Sequence, residues 1–233
     1  ALLVGFAIPI SAAFLLTLID NFIHTAKDIE KLSRIPLIGV IGKTSHATNL
    51  IVKDKPKSTI AESFRGIRSS LHFIYNQDSL YGSRTIMITS SVSGEGKTFT
   101  STNLATVFAL SDKRTILVGM DLRKPKIFDD FNIENDLGVS NYLVNDCSLN
   151  QVIRPTGIEN LDVLLSGPVP PNPSELIMTR RCGEMIDQLK KDYDYIILDT
   201  PPLGLVADAL EIAKHADATL YVVHQGYTKK GML

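Results

Sequence analysis

The sequence predicts an α/β fold: a doubly wound, mostly parallel sheet with helices on both faces. Segments with the apolar spacing of helices alternate with short apolar, strand-like runs at residues 85–88, 115–121, 160–165, 195–199 and 218–224. This alternation favours parallel strands that are joined by helical crossovers. The 233 residues, 44% of them apolar, suffice for one large domain with appendages.

A separate apolar segment precedes the predicted domain. Residues 1–19 contain no charged residue, and a helix needs ~20 such residues to cross the hydrocarbon core of a bilayer. Lys27, Lys31 and Arg34 follow closely, which assigns this side of the membrane to the cytoplasm. We therefore predict a transmembrane helix over residues 1–22, as the second span of a longer chain. The alternative is a buried core helix.

Residues 23–58 are predicted to be a juxtamembrane linker. Nine basic and five acidic side chains lie between Asp20 and Ser70. This positive excess suits anionic lipid headgroups, and it suits an ordinary solvated linker equally well. Within the linker, residues 35–42 are predicted to form a short strand or docking segment, and residues 44–58 a loop.

The most specific motif is S-V-S-G-E-G-K-T at residues 91–98, between an apolar strand and an apolar helix. Glycines let backbone N–H groups approach a phosphate closely at a helix N-terminus. In the pattern G-x-x-x-x-G-K-[ST], the lysine reaches the β/γ-phosphates and the hydroxyl binds Mg²⁺; here Ser91 stands at the first glycine. The motif predicts binding of a nucleoside triphosphate, with an ordinary glycine turn as the alternative. The predicted contacts are Ser93, Gly94, Glu95, Gly96, Lys97, Thr98 and Phe99.

Two further strand patterns end in an aspartate. Asp121 follows the apolar run 115–120, and Asp199 follows Ile196-Ile197-Leu198 and precedes Thr200-Pro201-Pro202, a Walker B pattern. The carboxyl ends of strands in an open α/β sheet meet at one edge, where ligands bind. We expect Thr98, Asp121 and Asp199 to hold Mg²⁺ there, beside Lys97. This set suits phosphoryl transfer, in which an aspartate accepts the proton of the acceptor.

A helix is predicted from about Thr59 to Tyr75, with apolar residues three and four positions apart. Its polar face carries Glu62, Arg65 and Arg68 in the pattern E-x-x-R-x-x-R. One interpretation is a functional surface, because these three side chains share a helix face. The other is salt bridging within the helix, which stabilises it by only about 0.2–0.5 kcal/mol per pair.

Together these motifs resemble the bacterial tyrosine kinases (BY-kinases), the cytoplasmic part of inner-membrane polysaccharide co-polymerases. The resemblance rests on the N-terminal apolar segment, ESFRGIRS, SGEGKT with GMDLRKP, and ILDTPP, in the order of the family. It implies a P-loop NTPase fold like that of MinD and ParA, with ATP and Mg²⁺ as cofactors. It makes Lys97, Asp121 and Asp199 catalytic and places Arg123 at the nucleotide. The family's D-x-D-x-R motif is incomplete here, because Gly119 replaces its first aspartate.

The resemblance also implies partners. Residues 59–233 would be the cytoplasmic kinase domain of an inner-membrane protein in contact with membrane lipid. The subunits would form a ring of eight through Glu62, Arg65 and Arg68, and each would phosphorylate the tyrosine-rich C-terminal tail of its neighbour. That tail is predicted to be missing from these residues, because the seven tyrosines are scattered. An outer-membrane polysaccharide exporter and a tyrosine phosphatase would complete the system.

Composition and local motifs argue against several other functions and leave two alternatives. A net charge of −1 argues against nucleic-acid binding, and Cys147 and Cys182 read as reduced structural thiols without metal-ligand spacing. A ParA/MinD-type ATPase is the main rival, although its signature lysine is replaced here by Val92. A third hypothesis is a nucleotide-gated assembly module in which catalysis is secondary.

Overall fold

The computed structural model describes Ser11 and residues 20–44, 48–77, 82–204 and 208–233. The chain divides into two compact units, one of residues 1–37 with 223–233 and the other of residues 38–222. The transmembrane helix predicted over residues 1–22 lies almost entirely outside the described residues. Among the helices that are described, none has both the length and the apolar character needed to cross a bilayer.

The smaller unit contains helix α1 (Ala26–Leu32) and a 3₁₀ turn (Lys230–Met232). Thr25 caps α1: its hydroxyl accepts a hydrogen bond from the N–H of Asp28, whose carboxylate accepts one from the N–H of Thr25. This reciprocal capping box satisfies two N–H groups that a helix start would otherwise leave without partners. Phe22 and Lys229 form an isolated antiparallel bridge that joins the two segments of this unit.

The larger unit is built on a six-stranded sheet with the order β3-β4-β2-β5-β1-β6. Five strands are parallel, and β3 pairs antiparallel with β4 at one edge. The mostly parallel α/β sheet is therefore confirmed. The strands are β1 (Arg84–Ser90), β2 (Thr115–Gly119), β3 (Ile153–Ile158), β4 (Leu161–Leu164), β5 (Tyr195–Asp199) and β6 (Ala218–Val222).

Helices cover both faces of this sheet. Successive strand residues point to opposite faces, so Ile86 and Ile88 of β1 join one buried cluster and Met87 joins the other. The first cluster includes the helices between residues 51 and 131, and the second includes those between residues 139 and 213. The helices are α2 (Ile51–Asp54), α3 (Thr59–Gln77), α4 (Lys97–Ala109), α5 (Ile127–Phe131), α6 (Val139–Leu143), α7 (Leu149–Val152), α8 (Pro173–Ile177), α9 (Arg180–Asp192) and α10 (Asp208–Ala213).

The segment before α3 differs from its prediction in two places. Residues 35–42 form no strand; instead Ile38 and Ile41 pack against the first buried cluster. The predicted loop 44–58 contains α2, whose Val52 is fully buried and donates its backbone N–H to Asn103 Oδ1 of α4 over 2.9 Å. Although the segment is polar in composition, its Leu50, Ile51 and Val52 are buried in the same apolar cluster as α4.

Residues 173–192 form two helices, α8 and α9, which are separated at Met178 and Thr179. Strand β3 was not predicted, because Pro155 and Gly157 lie within it. Proline is tolerated in a strand at a sheet edge, where its missing N–H removes no ladder bond.

Candidate active site

The strand register brings the predicted residues to one edge of the sheet. In the ladders, Asp199 at the end of β5 lies opposite Ile88 of β1 on one side and Gly119 of β2 on the other. The loops that follow these three strands therefore start side by side. They carry the phosphate-loop motif, the turn with Asp121, and the segment after Asp199.

The loop after β1 has the backbone conformation that its glycines allow. Gly94 and Gly96 have φ angles of 91° and 93°, in the left-handed region that other residues avoid. Gly96 is the N-cap of α4, and Lys97 is its first residue. A helix N-terminus directs N–H groups and the positive end of its dipole outward, which suits a phosphate.

Lys97 is the buried cation of this loop. Its side chain is only 8% exposed, and its Nζ donates a hydrogen bond to Ser90 Oγ over 3.1 Å. Burial lowers the pKa of Lys97, while the carboxylates of Asp199 and Asp121 oppose this shift. The ammonium is therefore held among acidic groups at the carboxyl end of the sheet. Ser90 had no pattern that singled it out from sequence.

Glu95 stabilises the phosphate loop by a hydrogen bond within it. It is buried, and its Oε2 accepts the N–H of Val92 over 2.9 Å. Ser91, at the first glycine position of the motif, hydrogen-bonds the hydroxyl of Tyr221 on β6 over 2.6 Å. Both side chains tie the loop to the protein, so the loop keeps a defined shape although it lacks one of the usual glycines.

Asp199 forms a buried hydrogen-bonded cluster with the first turn of α4. Its Oδ2 accepts the hydroxyl of Thr98 over 2.8 Å, and its Oδ1 accepts that of Ser101 over 2.9 Å. Burial raises the pKa of Asp199 to about 6, against the opposing effect of these hydrogen bonds and of Lys97. The predicted partners Thr98 and Asp199 are thus in direct contact. Ser101, one helical turn after Thr98, was missed from sequence.

Asp121 lies in a tight turn after β2. Its Oδ1 accepts the backbone N–H groups of Arg123 and Lys124, over 3.2 and 3.0 Å. Such an Asx-type turn fixes the carboxylate relative to its own backbone. The side chain of Arg123 binds two residues outside the phosphate loop: its Nε donates to Asp208 Oδ2 over 2.9 Å, and its Nη2 donates to Ser174 Oγ over 2.6 Å.

The loops enclose a cavity of about 200 Å³. Of the predicted residues, Glu95, Asp199 and Arg123 do not line it, and the contact predicted between Arg123 and the nucleotide stays a prediction. Lys124 and Lys126 line it without having been predicted; they follow Asp121 closely, and their charge was the available signal. The lining residues are Ser93, Gly94, Gly96, Lys97, Thr98, Phe99, Asp121, Lys124 and Lys126.

Gly119, which replaces the family's first aspartate, lies against Ser166 in the loop after β4. A Cβ at position 119 would lie 2.6 Å from Ser166 Oγ and 3.0 Å from its backbone nitrogen. The Ser166 hydroxyl also donates to the carbonyl of Gly119 over 2.8 Å. An aspartate at position 119 would therefore require Ser166 to move.

The oxygen donors at this edge fit a magnesium ion. One hydroxyl, Thr98, and two carboxylates, Asp121 and Asp199, are hard oxygen ligands of the kind that Mg²⁺ prefers beside substrate phosphates. Clusters of three or more histidine, cysteine, aspartate or glutamate side chains are not found among the described residues. A metal here would therefore depend on the mixed hydroxyl and carboxylate set. Both cysteines are free thiols, and burial raises the pKa of Cys182 to about 11.

The two arginines of the E-x-x-R-x-x-R face of α3 have different partners. Arg65 pairs with Glu62 within the helix, whereas Arg68 Nη1 donates to the carbonyl of Val107 on α4 over 3.1 Å. The intrahelical salt bridge that the sequence allowed is thus present. The role of these residues in subunit contacts stays a prediction.

A larger depression of about 840 Å³ lies at the opposite ends of the strands, beside Arg114, Asp162 and Tyr193. Tyr193 donates its hydroxyl to Asp162 over 2.8 Å there. The lining of this depression includes neither the glycines of the phosphate loop nor the lysine and aspartates of the motifs. We therefore place the candidate active site at the smaller cavity, where these groups converge.

Comparisons with known proteins identify relatives of this chain. A family model described as an AAA domain matches residues 83–232, which include the phosphate loop. The chain is 38% identical over 182 residues to the tyrosine-protein kinase YwqD of Bacillus subtilis, covering 78% of the chain and 76% of YwqD. It is 36% identical over 173 residues to the tyrosine-protein kinase Etk of Escherichia coli, covering 74% of the chain but only 23% of Etk.

Solved structures of similar fold include a bacterial tyrosine kinase domain. The chimerical protein CapA2B2 superposes with a TM-score of 0.82 at 40% identity, covering 89% of both chains. The kinase domain of Escherichia coli ETK superposes with a TM-score of 0.75 at 32% identity, covering 90% of this chain and 78% of that one. The rival class is more distant, since MinD from Pyrococcus horikoshii reaches a TM-score of 0.53 at 26% identity over 60% of the chain.

YwqD and the ETK kinase domain, which match 78% and 90% of this chain, are both named tyrosine kinases. The chain belongs to the bacterial tyrosine kinase family.

Proposed function

We propose that the chain transfers the γ-phosphoryl group of ATP to tyrosine hydroxyls on a neighbouring subunit. The observation that carries this proposal is the meeting of three motifs at one edge of the sheet. The ammonium of Lys97, the Thr98–Asp199 pair and the Asp121 turn occupy adjacent loops at the same sheet edge. Phosphoryl transfer depends mainly on positioning and charge stabilisation, which this arrangement can provide.

Each part of the site has a role in the proposed reaction. The backbone N–H groups of Ser93 to Phe99 bind the phosphates, and Lys97 stabilises the charge that develops on the transferred group. Mg²⁺, held by Thr98, Asp121 and Asp199, would neutralise the charge of the phosphates when bound. Asp121 lines the cavity, so we assign to its carboxylate the role of accepting the proton of the tyrosine hydroxyl. Gly119 cannot take that role, because it has no side chain.

The test is an autophosphorylation assay on the full-length protein, using labelled ATP and Mg²⁺. Labelled phosphotyrosine should form, and Lys97→Met should slow its formation at least about 10²-fold, the usual effect of removing one transition-state contact. Lys113→Met is the matched control, because Lys113 is exposed in the loop after α4.

Other outcomes of this assay favour the other functions. Release of phosphate into water without labelled protein would favour a MinD-type ATPase, to which the fold is distantly similar. Labelling that is unchanged in Lys97→Met would contradict the proposed site. Subunit assembly and polymer export that persist without labelling would favour an assembly module.

We propose further that residues 1–22 anchor the chain in the bacterial inner membrane with the kinase unit in the cytoplasm. The chain would assemble as a ring, in contact with membrane lipid, an outer-membrane polysaccharide exporter and a tyrosine phosphatase, and it would control capsule or exopolysaccharide production. The absence of charge in residues 1–19 supports the anchor. The chain spans about a quarter of the length of Etk.

A further inference from the structure

The turn that carries Asp121 is held by a second group of side chains outside the cavity. The backbone of Arg123 donates its N–H to Asp121 Oδ1, while the side chain of the same residue is bound by groups that do not line the cavity. Its Nε reaches Asp208, the first residue of α10, and its Nη2 reaches Ser174 in α8. Arg123 therefore connects the Asp121 turn to two helices on one face of the sheet.

The pairing of Arg123 with Asp208 should be persistent. The Asp208 side chain is only 3% exposed, whereas that of Arg123 is 41% exposed. A buried carboxylate that lost its partner would keep the full cost of leaving water, so it holds the guanidinium firmly. A guanidinium also has a planar fork of donors, and here that fork serves a carboxylate and a hydroxyl together.

We propose that Asp208 and Ser174 are positioning residues that fix, through Arg123, the direction of the Asp121 carboxylate toward the metal–nucleotide. Arg123 then acts on the nucleotide through Asp121 and not by direct contact. The inference rests on the proposed function, because it assigns to Asp121 a metal ligand's role. Partners that orient a metal ligand commonly matter almost as much as the ligand itself.

The first test needs neither metal nor nucleotide. Hydrogen exchange of the Arg123 and Lys124 amides, followed by NMR in the empty protein, reports whether the turn stays closed. Asp208→Asn should accelerate both amides by about tenfold, because the turn loses its side-chain anchor. The matched control is Glu184→Gln, which removes the exposed Arg180–Glu184 ion pair of α9 and should leave both amides unchanged.

The second test measures the affinity for a non-hydrolysable ATP analogue with and without Mg²⁺. In Asp208→Asn, the gain in affinity that Mg²⁺ provides should fall by about tenfold, while the metal-free affinity stays the same. Ser174→Ala removes only one hydroxyl and so carries little risk of misfolding. It should accelerate the exchange of the two amides, and reduce the gain in affinity from Mg²⁺, by about two- to threefold each.

Two results would overturn the inference. The first is unchanged amide exchange in both Asp208→Asn and Ser174→Ala. The second is an equal loss of nucleotide affinity in Arg123→Ala with and without Mg²⁺, since that result would show direct contact between Arg123 and the nucleotide. If the wild type binds no nucleotide, the proposed function fails. The exchange experiment would still show whether Asp208 anchors the Asp121 turn.

Discussion

At the scale of single residues, the site keeps its charged groups buried before any ligand arrives. Lys97 is held by Ser90, and Asp199 by Thr98 and Ser101. Hydrogen bonds replace part of the water that these groups leave, although burial still penalises the charged forms. The site therefore lowers the stability of the empty protein, and this cost should be measurable.

Asp199 gives this cost a pH dependence. Burial raises its pKa from 3.8 to about 6, so the folded state favours the protonated form. The stability from that form is complete below pH ~4 and is lost as pH rises through ~6, by about 3 kcal/mol in total for a shift of this size. Asp199→Asn cannot titrate. The free energy of unfolding of the wild type should therefore fall relative to the variant over this range.

Urea denaturation of both empty proteins from pH 4 to pH 7.5 measures this difference. Other titrating groups are common to the two proteins and cancel in the comparison. A difference between the proteins that stays constant with pH would mean that Asp199 has an ordinary pKa and that its surroundings are wetter than the structure indicates.

At the scale of elements, strand-end motifs were predictable and side-chain partners were not. The strands β1, β2 and β5 and the loop before α4 follow from local patterns, because apolar runs followed by glycine or aspartate have few other interpretations. The contacts of Arg123 with α8 and α10 cannot be predicted from local patterns, since they join residues 51 and 85 positions apart. Lys124 and Lys126 were missed because surface lysines usually have no specific role.

The packing of β2 against the loop after β4 gives the next prediction. Gly119→Ala adds a Cβ that meets Ser166 at 2.6 Å, so the protein should lose about 1–3 kcal/mol of stability, as in other overpacked cores. Gly66→Ala is the same change in α3, where a Cβ has no neighbour within 4 Å. It should stabilise the protein by about 0.5–1 kcal/mol, the helix penalty of glycine relative to alanine.

Thermal unfolding of the two variants measures both effects, and Gly119→Ala/Ser166→Gly should recover part of the lost stability. If Gly119→Ala were neutral, Ser166 could move at no cost. A measured cost would mean instead that Gly119 and Ser166 are matched to each other.

At the scale of the whole molecule, the proposed anchor and the proposed ring can be examined in one experiment. The chain should float with anionic lipid vesicles and cross-link there into multimers, whereas removal of residues 1–22 should leave it in the aqueous fraction. Glu62→Ala/Arg65→Ala should reduce cross-linking by at least about tenfold if this pair contacts a neighbouring subunit, because charged groups buried between subunits are costly to remove. The matched control is Glu211→Ala/Lys214→Ala, an ion pair of the same spacing. Equal, small effects of the two double variants would mean that Glu62 and Arg65 only stabilise their own helix, at about 0.2–0.5 kcal/mol, and the ring would then need another surface.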